Sequence, residues 1–340
     1  MGGVCALSNR LGSQTLTFSK VPRLLSSYTI VGPLEGKGPH ALDFDEILPD
    51  DVLDQKTPEK TERLILEMAI EKTLQQSNTK IEDVHFLIAG DLLNQITSST
   101  LAASTYAAPF LGIYGACSTF AQAMGLGATL LQGDFAEKVL IGTASHYQTA
   151  ERQFRYPIEL NIQHISSNHH TVTGAGVALL GFANQGPQVT HATFGTIVDM
   201  GLKDSQDMGS AMAPAAFSTI KQHLKDTSRG LEDYDMVLTG DLGKHGRKML
   251  RLLLSKEGFS GLERLQDGGS QIYGDHQKTG AGGSGAACIA VMGLGYALNM
   301  LKSGKARRIL VVATGALLSA LTVLQGESIP CIAHAVALEA

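Results

Sequence analysis

The chain has 340 residues, 44% of them hydrophobic and 17% charged, with Lys+Arg 27 against Asp+Glu 32 and a formal net charge of −5. That length is about twice the ~150 residues of an average domain and predicts two domains or one core built from two similar halves. The apolar content excludes a disordered chain, and the acidic balance argues against nucleic acid as a partner. Cys5, Cys117, Cys288 and Cys331 are too few and too scattered for a disulfide framework or a CxxC zinc site, and suit a reducing compartment.

In chain order, Met1 to Arg10 lacks the basic head and apolar stretch of a signal peptide. Residues 1–56 carry Gly32-Pro33, Gly38-Pro39 and an acidic patch from Asp43 to Asp54, and read as an N-terminal arm with surface loops. Thr57 as N-cap and Pro58 at the first helical position open a helix with Leu64, Met68 and Leu74 at helical spacing, ending near Ser77-Asn78. Val84 to Ala89 reads as a buried strand, and Pro109 to Ala116 as another. The longest apolar run, Leu310 to Leu324, is shorter than the ~20 residues of a membrane span and is interrupted by Thr314, Gly315 and Ser319. The chain is expected to be soluble, or attached to a membrane from outside.

The most informative feature is an internal repeat. IEDVHFLIAGDL from Ile81 matches LEDYDMVLTGDL from Leu231, each a strand followed by a Gly-Asp turn. Further on, MGLGATLLQGDFAEKVLIGTA from Met124 parallels MGLGYALNMLKSGKARRILVVATG from Met292. A period this long is no solenoid; it indicates a duplicated α/β unit with a mostly parallel sheet in each half. The helices after Cys117 and after Ser284 are apolar all round, which buries them on every side. Two such helices between two sheets give five layers, α-β-α-β-α, with halves at 57–205 and 206–340 related by a pseudo-twofold.

Cys117 sits where a strand turns into one of these buried helices. A helix N-terminus stabilises a thiolate through its dipole and free N–H groups, so Cys117 reads as a nucleophile or anion-binding thiol. The alternative is a small buried hydrophobe; the place of Cys117 in the repeat favours the functional reading.

Cys117 within GACST, the TVTGAGVALL segment from Thr171 and the glycine-rich loop before the second buried helix together resemble the thiolase-like fold of ketoacyl synthases and thiolases. More narrowly, AGDLLNQ at Ala89, GACST at Gly115, TAERQFRYP at Thr149, DMGSAMAPAA at Asp207, LTGDLG at Leu238, AGGSG at Ala281 and ATGALLS at Ala313 are similar to the SpoVAD family of spore-forming bacteria. In condensing enzymes of this fold the second half supplies a His at the first strand-to-turn position and a His or Asn in the glycine loop. This chain has Thr239-Gly240-Asp241 at the first and Gly283 near the second, with His245 and His276 elsewhere. Loss of one oxyanion donor typically costs ~10²-fold to 10³-fold in rate.

The resemblance therefore implies a non-catalytic protein that binds dipicolinic acid (pyridine-2,6-dicarboxylate), alone or as its calcium chelate, for uptake into the developing spore. It also implies a homodimer at the periphery of the spore inner membrane, with other SpoVA membrane proteins as partners and a place in sporulation and germination. A Cys-dependent acyl-transferring or condensing enzyme is the alternative. The residues expected around the ligand are Cys117, Ser118, His146, Arg152, Arg155, Asp241, Gly283 and Ser284, with no cofactor. Arg152 and Arg155 suit a bidentate carboxylate contact, or else Arg152 pairs with Glu151 or a neighbouring acid.

Other motifs carry less. GAGGSG from Gly280 matches GxGxxG, yet KSGKARR stands where a ribose-binding acid belongs, so the loop reads as close-packing backbone or an anion nest. His164, His169 and His170 lack a zinc spacing, and Asp43, Asp45, Asp50 and Asp51 lack a calcium-loop pattern, so no intrinsic metal site is expected. Lys244, His245, Arg247, Lys248 and Arg251 suit a solvated helix face, or docking on acidic lipid or a partner.

Overall fold

The computed structural model describes residues 9–154 and 165–340; Cys5, Arg155 and His164 lie outside them. A hairpin of β1 (Arg10–Leu11) and β2 (Thr15–Thr17) opens the described chain. The first half then runs β3 (Arg23–Val31), β4 (Glu46–Ile47), α1 (Pro58–Gln76), β5 (Phe86–Gly90), α2 (Thr97–Ala103), β6 (Phe110–Gly112), α3 (Thr119–Gln132), β7 (Lys138–Ser145), α4 (Tyr147–Phe154), β8 (His169–Thr171) and β9 (Gly174–Gly181). The second runs β10 (Gln188–Phe194), α5 (Met208–Thr227), β11 (Met236–Thr239), α6 (Gly243–Lys256), β12 (Leu265–Asp267), α7 (Gly268–Gln271), β13 (Gly282–Ser284) and α8 (Ala286–Met292). A π turn (Gly293–Ala297), α9 (Leu298–Lys302), β14 (Arg308–Ala316), α10 (Ala320–Leu324) and β15 (Cys331–Glu339) complete it.

The repeat becomes a repeated topology. In the first sheet β5 lies parallel to β6 and β7, β7 antiparallel to β9, and β9 antiparallel to β3. In the second, β11 lies parallel to β12 and β14, β14 antiparallel to β15, and β15 antiparallel to β10. The sheets meet where Gln188 of β10 pairs with Arg23 of β3.

Between the sheets, Phe120, Met124 and Leu131 of α3 and Ile289, Val291 and Met292 of α8 share one core with Ile88, Ile141, Val311 and Val336. α1 and α2 cover the outer face of the first sheet, and α5 and α6 that of the second. The result is the five-layer, thiolase-like sandwich of two pseudo-symmetric halves.

Three local readings change. α1 begins as expected, with Thr57 accepting from the Lys60 N–H, but its buried stripe is Ile65, Leu66, Ala69, Ile70 and Leu74 while Leu64 and Met68 are half-buried. The helix is apolar on adjacent faces, and the sheet selects one of them. Within residues 1–56, read as arm and loops, Arg23–Val31 is a full strand between β9 and β10. A bulge between Leu24 and Ser26 breaks its alternation and hides it from a period-2 reading. The second half also begins with β10 at Gln188, ahead of residue 206.

Candidate functional site

Cys117 lies in a tight 3-10 turn, Ala116–Ser118, immediately before α3. Ala116 is held in the left-handed region at φ 51, a conformation costly for a residue with a Cβ and sustained by its surroundings. The surroundings are visible: Ser118 Oγ donates to Gly115 O at 2.6 Å, Thr119 Oγ1 donates to Ala116 O at 2.7 Å, and the Gly115 N–H donates back to Thr119 Oγ1 at 3.0 Å. Gly315 of β14 backs the turn so closely that a Cβ there would lie 2.2 Å from Gly115 O.

The opposite wall is the glycine loop. β13 pairs in parallel with β8, matching Gly283 to His170 and Ser284 to Thr171. Gly285, at φ 115, leads into α8, and a Cβ on it would meet Ser145 Oγ at 2.8 Å. Ser145 Oγ donates to Val172 O at 2.7 Å and accepts from the Ala287 N–H at 3.1 Å, tying the strand end of the first half to the helix start of the second. Gly283 is needed for contact: a Cβ there would come within 2.7 Å of Ile272.

A cavity of about 330 Å³ lies between these walls. Cys117 and Ser284 line it from the two buried-helix starts, Asn168 and His169 add polar groups, Leu92, Phe154 and Leu318 supply apolar surface, and Glu151 stands at its side. Burial, followed by the neighbouring Asp241 carboxyl, pushes the Cys117 thiol well above its ordinary pKa, so the thiol holds its proton at neutral pH.

Asp241 is fully buried, and neither carboxyl oxygen has a hydrogen bond of good geometry. Burial and Asp267 raise its pKa; the Cys288 thiol and the backbone at Gly285 and Thr314 only partly oppose them.

The remaining expected residues are placed as follows. Ser118 is buried with its hydroxyl committed to the turn. His146 is buried, bonds the Asp51 carbonyl at 2.7 Å through Nε2 and accepts from the Gln148 N–H through Nδ1, so it fastens the N-terminal segment; burial lowers its pKa. Arg152 is 53% exposed and pairs with Glu59 at 3.0 Å, in a separate surface groove with Asn94 and Thr97. The structure therefore brings Cys117 and Ser284 to one cavity, with Asp241 buried beside Cys117, and does not bring Arg152 to them.

Sequence reasoning set His169 aside as an unfinished zinc ligand, and gave no sign of Glu35. Glu35 is buried, accepts from the Thr173 N–H at 3.0 Å and from the Tyr273 hydroxyl, and its pKa is raised by burial. Tyr273 meets the edge of His170, which stacks on Tyr147 at 4.0 Å. Among the described residues no three His, Cys, Asp or Glu side chains group as metal ligands, and no helix is long and apolar enough to cross a membrane.

Two sandwiched helices that start on a cysteine and on a glycine loop, contributed by the two similar halves, define a thiolase-like fold. Solved structures agree: Xanthomonas campestris OleA superposes with a TM-score of 0.61 at 12% identity, over 95% of this chain and 99% of that one. A second OleA structure, with bound lauric acid and lauroyl-CoA, gives 0.60 at 12% identity over 94% and 99%. At that identity the likeness is one of fold.

The sequence relationship is narrower. Residues 12–339 match the family model of stage V sporulation protein AD (SpoVAD). Over 328 residues, covering 96% of this chain and 97% of the relative, the sequence is 42% identical to stage V sporulation protein AD of Bacillus subtilis (strain 168). The chain belongs to the SpoVAD family.

Proposed function

We propose that the chain is a non-catalytic binding protein for dipicolinate, which it holds in the Cys117–Ser284 cavity for uptake into the developing spore. The observation that carries this reading is a small cavity in a SpoVAD-family fold whose cysteine is kept as the thiol. About 330 Å³ is at the small end of ligand pockets, which suits a single ring bearing two carboxyl groups. Apolar walls at Leu92, Phe154 and Leu318 suit the ring faces, and Cys117, Ser284 and Asn168 suit the carboxylates as donors.

A condensing enzyme needs a nucleophile and an electrophilic partner. Here Asp241 occupies the strand-to-turn position, burial followed by that carboxyl raises the thiol's pKa, His245 is half-buried on α6, and His276 is exposed. Attachment at the periphery of the spore inner membrane, contact with other SpoVA proteins and a homodimer belong to the same proposal. The exposed Lys248, Arg251 and Leu252 of α6 suit an anionic surface.

Calorimetric titration with dipicolinate, with and without calcium, tests the proposal. Saturable binding that is blocked in both Cys117→Trp and Ser284→Trp, each folded by thermal melt, is the expected result. Turnover of acyl thioesters with an acyl adduct on Cys117 in intact-mass spectra, absent in Cys117→Ala, would replace it with acyl transfer.

A further inference from the structure

The two Gly-Asp turns of the repeat have parted in role. In the first half Asp91 caps its own turn, accepting from the Leu93 N–H at 2.8 Å and the Ser99 N–H at 2.7 Å. In the second half Asp267 has taken over that duty. It accepts from Leu242 N–H at 3.1 Å, Gly243 N–H at 2.9 Å, Ser270 N–H at 2.7 Å and Thr239 Oγ1 at 2.8 Å.

Asp241, the counterpart of Asp91, is left with no capping bond: it is fully buried, and neither of its oxygens has a hydrogen bond of good geometry. A buried carboxyl with no structural employment is expensive to keep, and this one stands behind the cysteine of the cavity. We propose that Asp241 sets the charge of the Cys117 cavity: held as the neutral acid it permits an anion to bind, and its ionisation expels that anion.

The groups around it decide its state. Facing it are the Cys288 thiol on α8, which gives its own proton to Gly240 O at 3.1 Å, the Cys117 thiol at the start of α3, and the Asp267 carboxyl on β12. Glu151 of α4 and His169 of β8 stand on the cavity wall. Of the two neighbouring carboxyls, Asp267 has four donors to support a charge and Asp241 has none of good geometry, so the charge resides on Asp267 and the proton on Asp241. Burial accordingly pushes Asp267 up only to about 6 and Asp241 well above the ordinary carboxylate range. The donors at Cys117 and Ser284 then face an anion without a second negative charge behind them.

This inference rests on the anion-binding reading above, and the experiment separates the two. Dipicolinate is titrated into wild type and Asp241→Asn from pH 6 to pH 9. Wild-type affinity is expected to fall by at least about tenfold across that range, while Asp241→Asn, neutral throughout, keeps the low-pH affinity and loses the slope. Equal slopes in the two proteins, or loss of binding in Asp241→Asn at pH 6 with an unchanged melting temperature, overturn the assignment.

If dipicolinate binds neither protein, the ligand reading fails and a ligand-free arm decides Asp241. Alkylation of Cys117 by iodoacetamide is followed by peptide mass spectrometry from pH 7 to pH 9.5. An ionising Asp241 suppresses the thiolate, so the Asp241→Asn profile lies at lower pH than wild type. Superimposed profiles overturn the inference whatever the ligand does.

Discussion

Glu62 of α1 and Asp91 are both buried, bonded to Thr149 of α4 and to Ser99 of α2, and only Asp91 has backbone donors to support a charge. Asp91 accepts two backbone N–H bonds, whereas Glu62 accepts from the Thr149 hydroxyl and lies beside the Asp91 charge. Burial and that charge push Glu62 up to about 8 from an ordinary 4.5. An acid whose pKa is raised by folding is fully stabilising below its unfolded value and loses that contribution as pH rises towards the folded one. The window therefore runs from about pH 4.5 to about pH 8, with a slope of about 1.4 kcal/mol per pH unit at most and a total on the order of a few kcal/mol. Glu62→Gln removes the titration while keeping an acceptor for Thr149. Denaturant unfolding of both proteins from pH 5 to pH 9 should show wild type falling relative to Glu62→Gln up to about pH 8 and running parallel above it. Curves parallel across the whole range would refute the assignment of the proton to Glu62.

Gly315→Val places a Cβ 2.2 Å from Gly115 O; displacing the Cys117 turn should cost about 1–3 kcal/mol in denaturant stability and abolish calorimetric dipicolinate binding. Arg152→Ala breaks only the exposed Glu59 pair and should change stability by less than ~1 kcal/mol, with dipicolinate affinity unchanged; a tenfold weaker titration would put Arg152 at the ligand. His146→Ala removes the bond to Asp51 O and should cost roughly 1 kcal/mol, seen first as faster proteolysis of residues 48–55. Lys248→Glu with Arg251→Glu should reduce co-sedimentation with phosphatidylglycerol vesicles and leave dipicolinate binding intact.

Much of this architecture is legible before any coordinates, for identifiable reasons. Thr57-Pro58 is a local signal, and α1 starts there. The two central helices betray themselves by having no polar face, because a helix between two sheets has no solvent side. β3 escapes because its bulge disrupts alternation and because its residues include Ser26, Ser27 and Thr29, whose neighbours lie far along the chain. The site divides in the same way. Cys117 and Ser284 are found through the repeat, a property of sequence. The partnership of Arg152 with Glu59, of His146 with Asp51 and of Glu35 with Tyr273 spans 93, 95 and 238 residues, and no local pattern encodes such contacts. His169 shows the same limit: its spacing in the sequence fits no zinc site and assigns it no role, while its strand pairing with Gly282 puts it on the cavity wall.

The duplication also bears on why the carboxyl beside Cys117 differs from its counterpart in the first half. Equivalent Gly-Asp turns follow β5 and β11, so before divergence each half would have needed its aspartate as a cap. In the second half β12 ends on Asp267, whose carboxyl reaches the turn after β11 and closes it with two backbone bonds. Nothing equivalent releases Asp91, which remains the cap of its own turn and forces the proton of that buried pair onto Glu62. Each half thus contains a buried carboxyl pair in which one member is supported by backbone donors and the other holds the proton, but only in the second does the protonated one stand beside the cysteine. A helix start that offers N–H groups draws anions in, and a charged aspartate behind it would cancel that attraction. On the proposed anion-binding reading, keeping the negative charge on Asp267, where four donors support it, would let the two facing helix starts act together on an anion.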